Sequence, residues 1–167
     1  THPEQFRDAR FQQFTLQDFD DPEIDRFIRL WHQEAFLEAA ERVVIDAKDF
    51  LVIAPYASKM PFELHILPKT HRPSFHEITI SERRALAQVL KDVFFRLYDR
   101  MRNPAYNYYI HTVPFGGAIE SKAHDDRKSY HWHIVVLPRV NVWAGFELGT
   151  EVYVNVMPPE TAAKFFH

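Results

Sequence analysis

The sequence predicts an α+β domain: an antiparallel sheet, one long helix packed on it, and a helical extension at the N-terminus. Three observations carry that expectation. Short apolar runs separated by turn residues fill 42–68, a periodic apolar pattern over about 79–101 follows, and β-prone runs return from Tyr106 onward. At 167 residues the chain suits one domain with a full core. Residues 1–40 read as an N-terminal extension and 41–167 as the domain proper.

The elements are taken in chain order. From Asp20-Asp21-Pro22-Glu23, the apolar residues Ile24, Phe27, Ile28, Trp31, Phe36 and Leu37 recur at mostly helical spacing, which predicts a helix over about 22–40. Two runs, 42–46 and 50–54, flank the polar Ala47-Lys48-Asp49 and suit a hairpin. A third run, 62–68, alternates and stops at Pro68, as an edge or terminating strand would. Thr79 and Glu82 have the spacing of a capping box. Behind them Leu86, Val89, Leu90, Val93, Phe94, Leu97 and Met101 form one helical face. Tyr106 to His111 is a strand by aromatic and β-branched content. A charged stretch from about Gly116 to Lys128 predicts a loop, and 130–138 the strand after it. Residues 140–156 hold several short β-prone pieces, and Pro158-Pro159-Glu160 opens a terminal helix.

Composition narrows the chemistry. The formal charge is −3 with Lys and Arg spread through the chain, so there is no basic stripe to neutralise a nucleic acid polymer. There is no cysteine, hence no disulfide and no thiolate site; any metal rests on His and carboxylate ligands. No apolar run reaches the ~20 residues needed to span a bilayer. The N-terminus has no basic region followed by an apolar stretch, and a cytoplasmic protein without a membrane partner is expected. The chain opens on Thr1, which reflects trimming or a place within a longer polypeptide.

Histidine therefore carries the chemical interest. In Tyr130-His131-Trp132-His133-Ile134-Val135-Val136-Leu137-Pro138 alternate side chains share a face, so His131 and His133 project together at about 7 Å while Trp132 and Ile134 face the other way. Two such imidazoles can share a metal ion. Alternatively, one attacks phosphorus while the other holds a phosphate oxygen or sets the tautomer. His111, at the end of a preceding strand, and His124, in the intervening loop, add to the cluster.

The residues at this point resemble a known family. Pro61-Phe62-Glu63-Leu64-His65-Ile66-Leu67-Pro68-Lys69-Thr70-His71 looks like the paired strands of the histidine-triad (HIT-like) superfamily. The long helix, the strand to His111 and the Tyr130-His131-Trp132-His133 strand follow in that superfamily's order. Tyr106-Asn107-Tyr108, Leu137-Pro138-Arg139 and Gly145-Phe146-Glu147 with Gly149-Thr150 are most similar to the C-terminal half of galactose-1-phosphate uridylyltransferases and their ADP-glucose phosphorylase-like bacterial relatives. The resemblance covers roughly 42–160.

The resemblance implies a nucleotidyltransferase-type protein acting on nucleotides or nucleoside diphosphate sugars through a histidine nucleotidyl intermediate. His133 would then be the nucleophile, with His131 supporting it and His111, Phe146 and Glu147 binding substrate. It implies an alternative as well, a non-catalytic half in which His111, His131 and His133 hold zinc or iron and the catalytic histidine lies elsewhere. A HIT-type nucleotide hydrolase is a further reading, weakened because Val135 stands where those enzymes carry a third histidine. The chain also has no His-Pro-His segment, where the uridylyltransferases keep their nucleophile. An interaction module with incidental histidines ranks below these readings. A homodimer is expected from the resemblance alone.

Other residues admit two readings each. His71 and His76 around Pro73, with Lys69 and Arg72, either fix the turn or meet a phosphate, the first being favoured. Trp132 and Trp143 are read as core aromatics. Glu147 is either a pocket carboxylate or a bulge residue paired with Arg139.

Overall fold

A computed structural model of the chain describes residues 41–113 and 130–167. The helix expected over 22–40, the loop from Gly116 to Lys128 and His124 all lie outside these residues.

Among the described residues five strands form one antiparallel sheet: β1 (Val43–Asp46), β2 (Phe50–Ile53), β3 (Leu64–Pro68), β4 (Tyr106–His111) and β5 (His133–Pro138). Their order is β1-β2-β3-β5-β4, so β5, last in sequence, enters between β3 and β4. Its apolar run explains the position. Ile134 and Val136 go into the core on one face and Val135 is buried on the other. The β1–β2 hairpin closes where the Ala47 N–H donates to the Phe50 carbonyl at 2.9 Å.

β3 is an inner strand. Pro68 ends it without making it an edge, and the ladder is carried on by the Lys69 N–H donating to the Asp49 carbonyl at 2.9 Å. The strand also starts later than its alternation suggests, at Leu64, because Phe62 has a φ of 64° that no strand accommodates.

The long helix α1 (Ile80–Met101) begins at the expected capping box. The Thr79 hydroxyl accepts the Glu82 N–H at 3.2 Å, and the Glu82 carboxylate accepts the Thr79 N–H at 2.8 Å. It stops at two left-handed residues, Arg102 and Asn103, whose N–H groups both turn back to the Tyr98 carbonyl. Its Leu86, Val89, Val93 and Leu97 bury against Phe50, Val52, Leu64, Ile66, Trp132, Ile134 and Val136 of the sheet side. The terminal helix α3 (Pro159–Phe166) closes this core with Ala162, Ala163 and Phe166. Arg96 and Arg100 hold its last carbonyls at Phe166 and His167.

The segment between β5 and α3 departs from expectation. It forms no strand; Gly145–Thr150 is a short helix, α2. The Glu147 carboxylate accepts the Ala144 N–H at 3.0 Å, which caps the turn, and Glu151 ends it in the left-handed region. Glu147 is therefore a helix cap and not a bulge residue paired with Arg139. Trp143, expected in the core, is 38% exposed and packs at a tilt against Tyr153, ring centres 5.0 Å apart.

Trp132 is fully buried, edge-on to Phe75 at 5.0 Å and to Phe50 at 6.1 Å. Trp132→Ala is expected to cost about 3–5 kcal/mol in urea unfolding, and Thr79→Ala about 1 kcal/mol.

Candidate functional site

The second face of the sheet carries the histidines. The alternation that sends Trp132 and Ile134 into the core leaves His131 and His133 on the other side, and both are 4% exposed. Their ring contacts differ. His133 opens β5 directly opposite His111 of β4, and the two rings stack at 4.7 Å with 29° between planes. From the other flank His65 of β3 stacks on His133 at 5.4 Å and 27°. His131 lies before the strand proper, where its Nε2–H donates to the Pro68 carbonyl at 2.7 Å and its ring packs on His71 at 5.3 Å.

The row His65, His133, His111 thus runs across three strands. Glu63 anchors one end. Its carboxylate is 4% exposed, accepts the His65 Nε2–H at 2.9 Å and accepts the Lys59 backbone N–H at 2.6 Å. His65 and Glu63 were absent from the sequence-based set of site residues. The alternation of 62–68 puts His65 on one strand face, but only the β3–β5 pairing shows that this face is also that of His133.

The electrostatics keep the central ring neutral. Burial, and then the neighbouring His65, push the His133 imidazole from 6.5 down to about 3, with His111 and His131 adding to the effect and the hydrogen bond to the His131 carbonyl opposing it. Its Nδ1–H donates to that carbonyl at 3.1 Å, which leaves the lone pair on Nε2. His111 is shifted down too, by burial and then by His65 and Lys59. Burial raises Tyr109, helped by Glu63 and Tyr153.

The loop after β3 is committed to structure. Lys69 pairs with Asp46, and the Arg72 Nε is 3.1 Å from the Glu82 carboxylate. His71 donates to the Tyr130 carbonyl at 2.9 Å, while His76 bonds the buried Ser74 hydroxyl at 2.6 Å. Phe146 is 56% exposed on α2, and no hydrogen bond or ring contact among the described residues joins Phe146 or Glu147 to the histidine row.

The expected metal set is tested by the same geometry. His111 and His133 offer two imidazoles side by side, whereas the Nε2 of His131 is turned to Pro68. Among the described residues no group of three or more His, Asp or Glu side chains is arranged to hold a metal ion. The described residues do not by themselves fit a zinc or iron site.

Residues 9–164 match the family described as galactose-1-phosphate uridyl transferase, C-terminal domain. The chain belongs to that family. It is 33% identical over 123 residues to ADP-glucose phosphorylase of Arabidopsis thaliana, covering 73% of this chain and 33% of that protein. It is 29% identical over 135 residues to galactose-1-phosphate uridylyltransferase of Thermotoga maritima, covering 76% of this chain and 40% of that one. The chain thus spans between a third and two fifths of the length of these relatives.

Among solved structures, Arabidopsis ADP-glucose phosphorylase with bound ADP-glucose superposes with a TM-score of 0.69 at 28% identity, over 87% of this chain and 46% of that one. A Hit-like protein from Bartonella henselae shares the fold, with a TM-score of 0.52 at 11% identity over 75% of this chain and 83% of its own. The sheet with its long helix is therefore a HIT-like fold, as the motif order implies.

A neutral buried imidazole makes stability depend on pH. The folded His133 sits below its unfolded value of 6.5, so its contribution is fully present above pH 6.5 and is lost as pH falls toward about 3. In chelator-treated protein, lowering pH from 7 to 5 is expected to cost about 2 kcal/mol through this group. His133→Gln is expected to flatten that part of the urea-unfolding pH profile.

Proposed function

We propose that this chain works in nucleotidyl transfer on nucleoside diphosphate sugars, of the kind named in its uridylyltransferase and phosphorylase relatives, with His133 as the group that takes up the nucleotidyl unit. The observation that carries this is the state of His133: a neutral imidazole, walled by two others, with its lone pair on Nε2.

The chemistry follows from that state. Attack of Nε2 on the α-phosphorus forms an N–P bond. The bond from that phosphorus to the bridging oxygen breaks, and the sugar 1-phosphate leaves with the electron pair. A second sugar 1-phosphate, or phosphate, then takes the nucleotidyl group and restores the imidazole. His111 is placed to contact phosphate oxygens beside His133, and His131 to fix the strand through Pro68. Phe146 and Glu147 are assigned to the sugar by resemblance, reached through the α2 segment of this or a second copy.

A second reading has its own support. His111 and His133 stand side by side as two nitrogen donors, and zinc or iron would be held there if further ligands came from outside the described residues. The catalytic histidine would then lie in another domain or subunit. We place the protein in the cytoplasm as a homodimer. No helix among the described residues is long and apolar enough to cross a membrane. Val142, Leu148 and Val156 are 83%, 69% and 82% exposed, apolar surface that a second copy would cover.

Mass spectrometry after incubation with ADP-glucose or UDP-glucose is expected to show a nucleotidyl adduct that His133→Ala abolishes. Bound metal with no adduct would overturn the first reading in favour of the second. Sedimentation is expected to give twice the chain mass.

A further inference from the structure

Val135 occupies the place where a third histidine along the strand would stand, yet its position is not without an imidazole. In the β3–β5 register His65 lies directly across from Val135, and residues opposite each other in an antiparallel pair share a face. The His65 ring leans from there onto His133, 5.4 Å away and 27° from parallel. His111 meets the same ring from the β4 side at 4.7 Å and 29°.

We propose that His65, held by Glu63, is a positioning residue that fixes the ring plane of His133 and so the direction of its Nε2 lone pair, a role that rests on the reading of His133 given above. The restraint on His133 would otherwise be thin. Among the described residues the one hydrogen bond of its side chain, Nδ1–H to the His131 carbonyl at 3.1 Å, is long and selects which ring nitrogen carries the proton, but holds the plane weakly. Two flat neighbours hold the plane, and the bond then chooses between the two in-plane orientations. His65 can serve as a wall only if it is itself immobile, and the Glu63 carboxylate does this. A carboxylate that is 4% exposed is costly unless fully engaged, and Glu63 is engaged by His65 at 2.9 Å and by the Lys59 N–H at 2.6 Å. Such an investment in a half-buried histidine is hard to account for by stability alone, because an apolar pair at 63 and 65 would serve the sheet as well. His65 acts through His133 and forms no bond to substrate.

The test reads the ring of His133 directly. The full 167-residue chain, labelled with ¹⁵N-histidine, is examined by NMR above pH 7 with a chelator present, and His133→Gln assigns the resonances. Wild type is expected to show His133 as a single tautomer with an unprotonated Nε2. His65→Leu keeps the volume but removes the flat ring, and is expected to give an averaged mixture of tautomers; His65→Phe restores a flat ring and is expected to restore the single tautomer. An unchanged His133 spectrum in His65→Leu, or failure of His65→Phe to restore it, overturns the proposal. Mass spectrometry of wild type and the same variants after incubation with ADP-glucose or UDP-glucose separates this from the functional reading. If the spectra change as expected while wild type forms no nucleotidyl adduct, positioning stands and the nucleotidyl-transfer reading falls.

Discussion

The pairing of β5 with β3 on one side and β4 on the other decides what this molecule can do. Each of the three strands brings one imidazole to the same face, and none of the three residues is a neighbour of another in sequence. A one-residue slip of β3 against β5 would turn His65 toward α1 and Ile66 outward, breaking the row and the core together. Register here is held by the opposite face. Leu64, Ile66, Ile134 and Val136 must meet the apolar stripe of α1, and that requirement places the histidines without any contribution from their own interactions.

Burial then converts placement into chemical character. An isolated histidine titrates near neutrality, but His133 is taken out of water beside two other imidazoles and stays neutral. The same desolvation serves a nucleophile and a metal ligand equally, because both need a lone pair. What distinguishes the two is the company that His133 keeps. The neighbours found here lie flat against it, and flat stacking orients a ring without converging several nitrogens on one point.

Much of the fold was legible in the sequence because its signals are local. The capping box at Thr79 and Glu82, the helical stripe behind it, the strand from Tyr106 to His111 and the terminal helix after Pro158 each announce themselves within a few residues. The site was legible in part. His111, His131 and His133 were singled out as candidates from type and spacing, but that spacing grouped His131 with His133, and the structure places His131 against Pro68 and His71. His65 went unrecognised because its partner is 68 positions away and is reached only through strand pairing. The 140–156 segment misled for a different reason. Its valines and aromatics have β propensity, but Gly145–Thr150 forms a short helix capped by Glu147, and no strand forms on either side of it.

Trp132 stands between His131 and His133 with its indole on the core side, fully shielded by Phe50 and Phe75. Its Nε1–H is buried without a hydrogen-bond partner among the described residues. An indole so enclosed emits at shorter wavelength than one in water, and Trp143 at the surface does not share that environment. The molecule therefore carries its own optical gauge on the peptide unit that joins the two histidines. Loosening of the core around Trp132 exposes that indole and shifts its emission to the red.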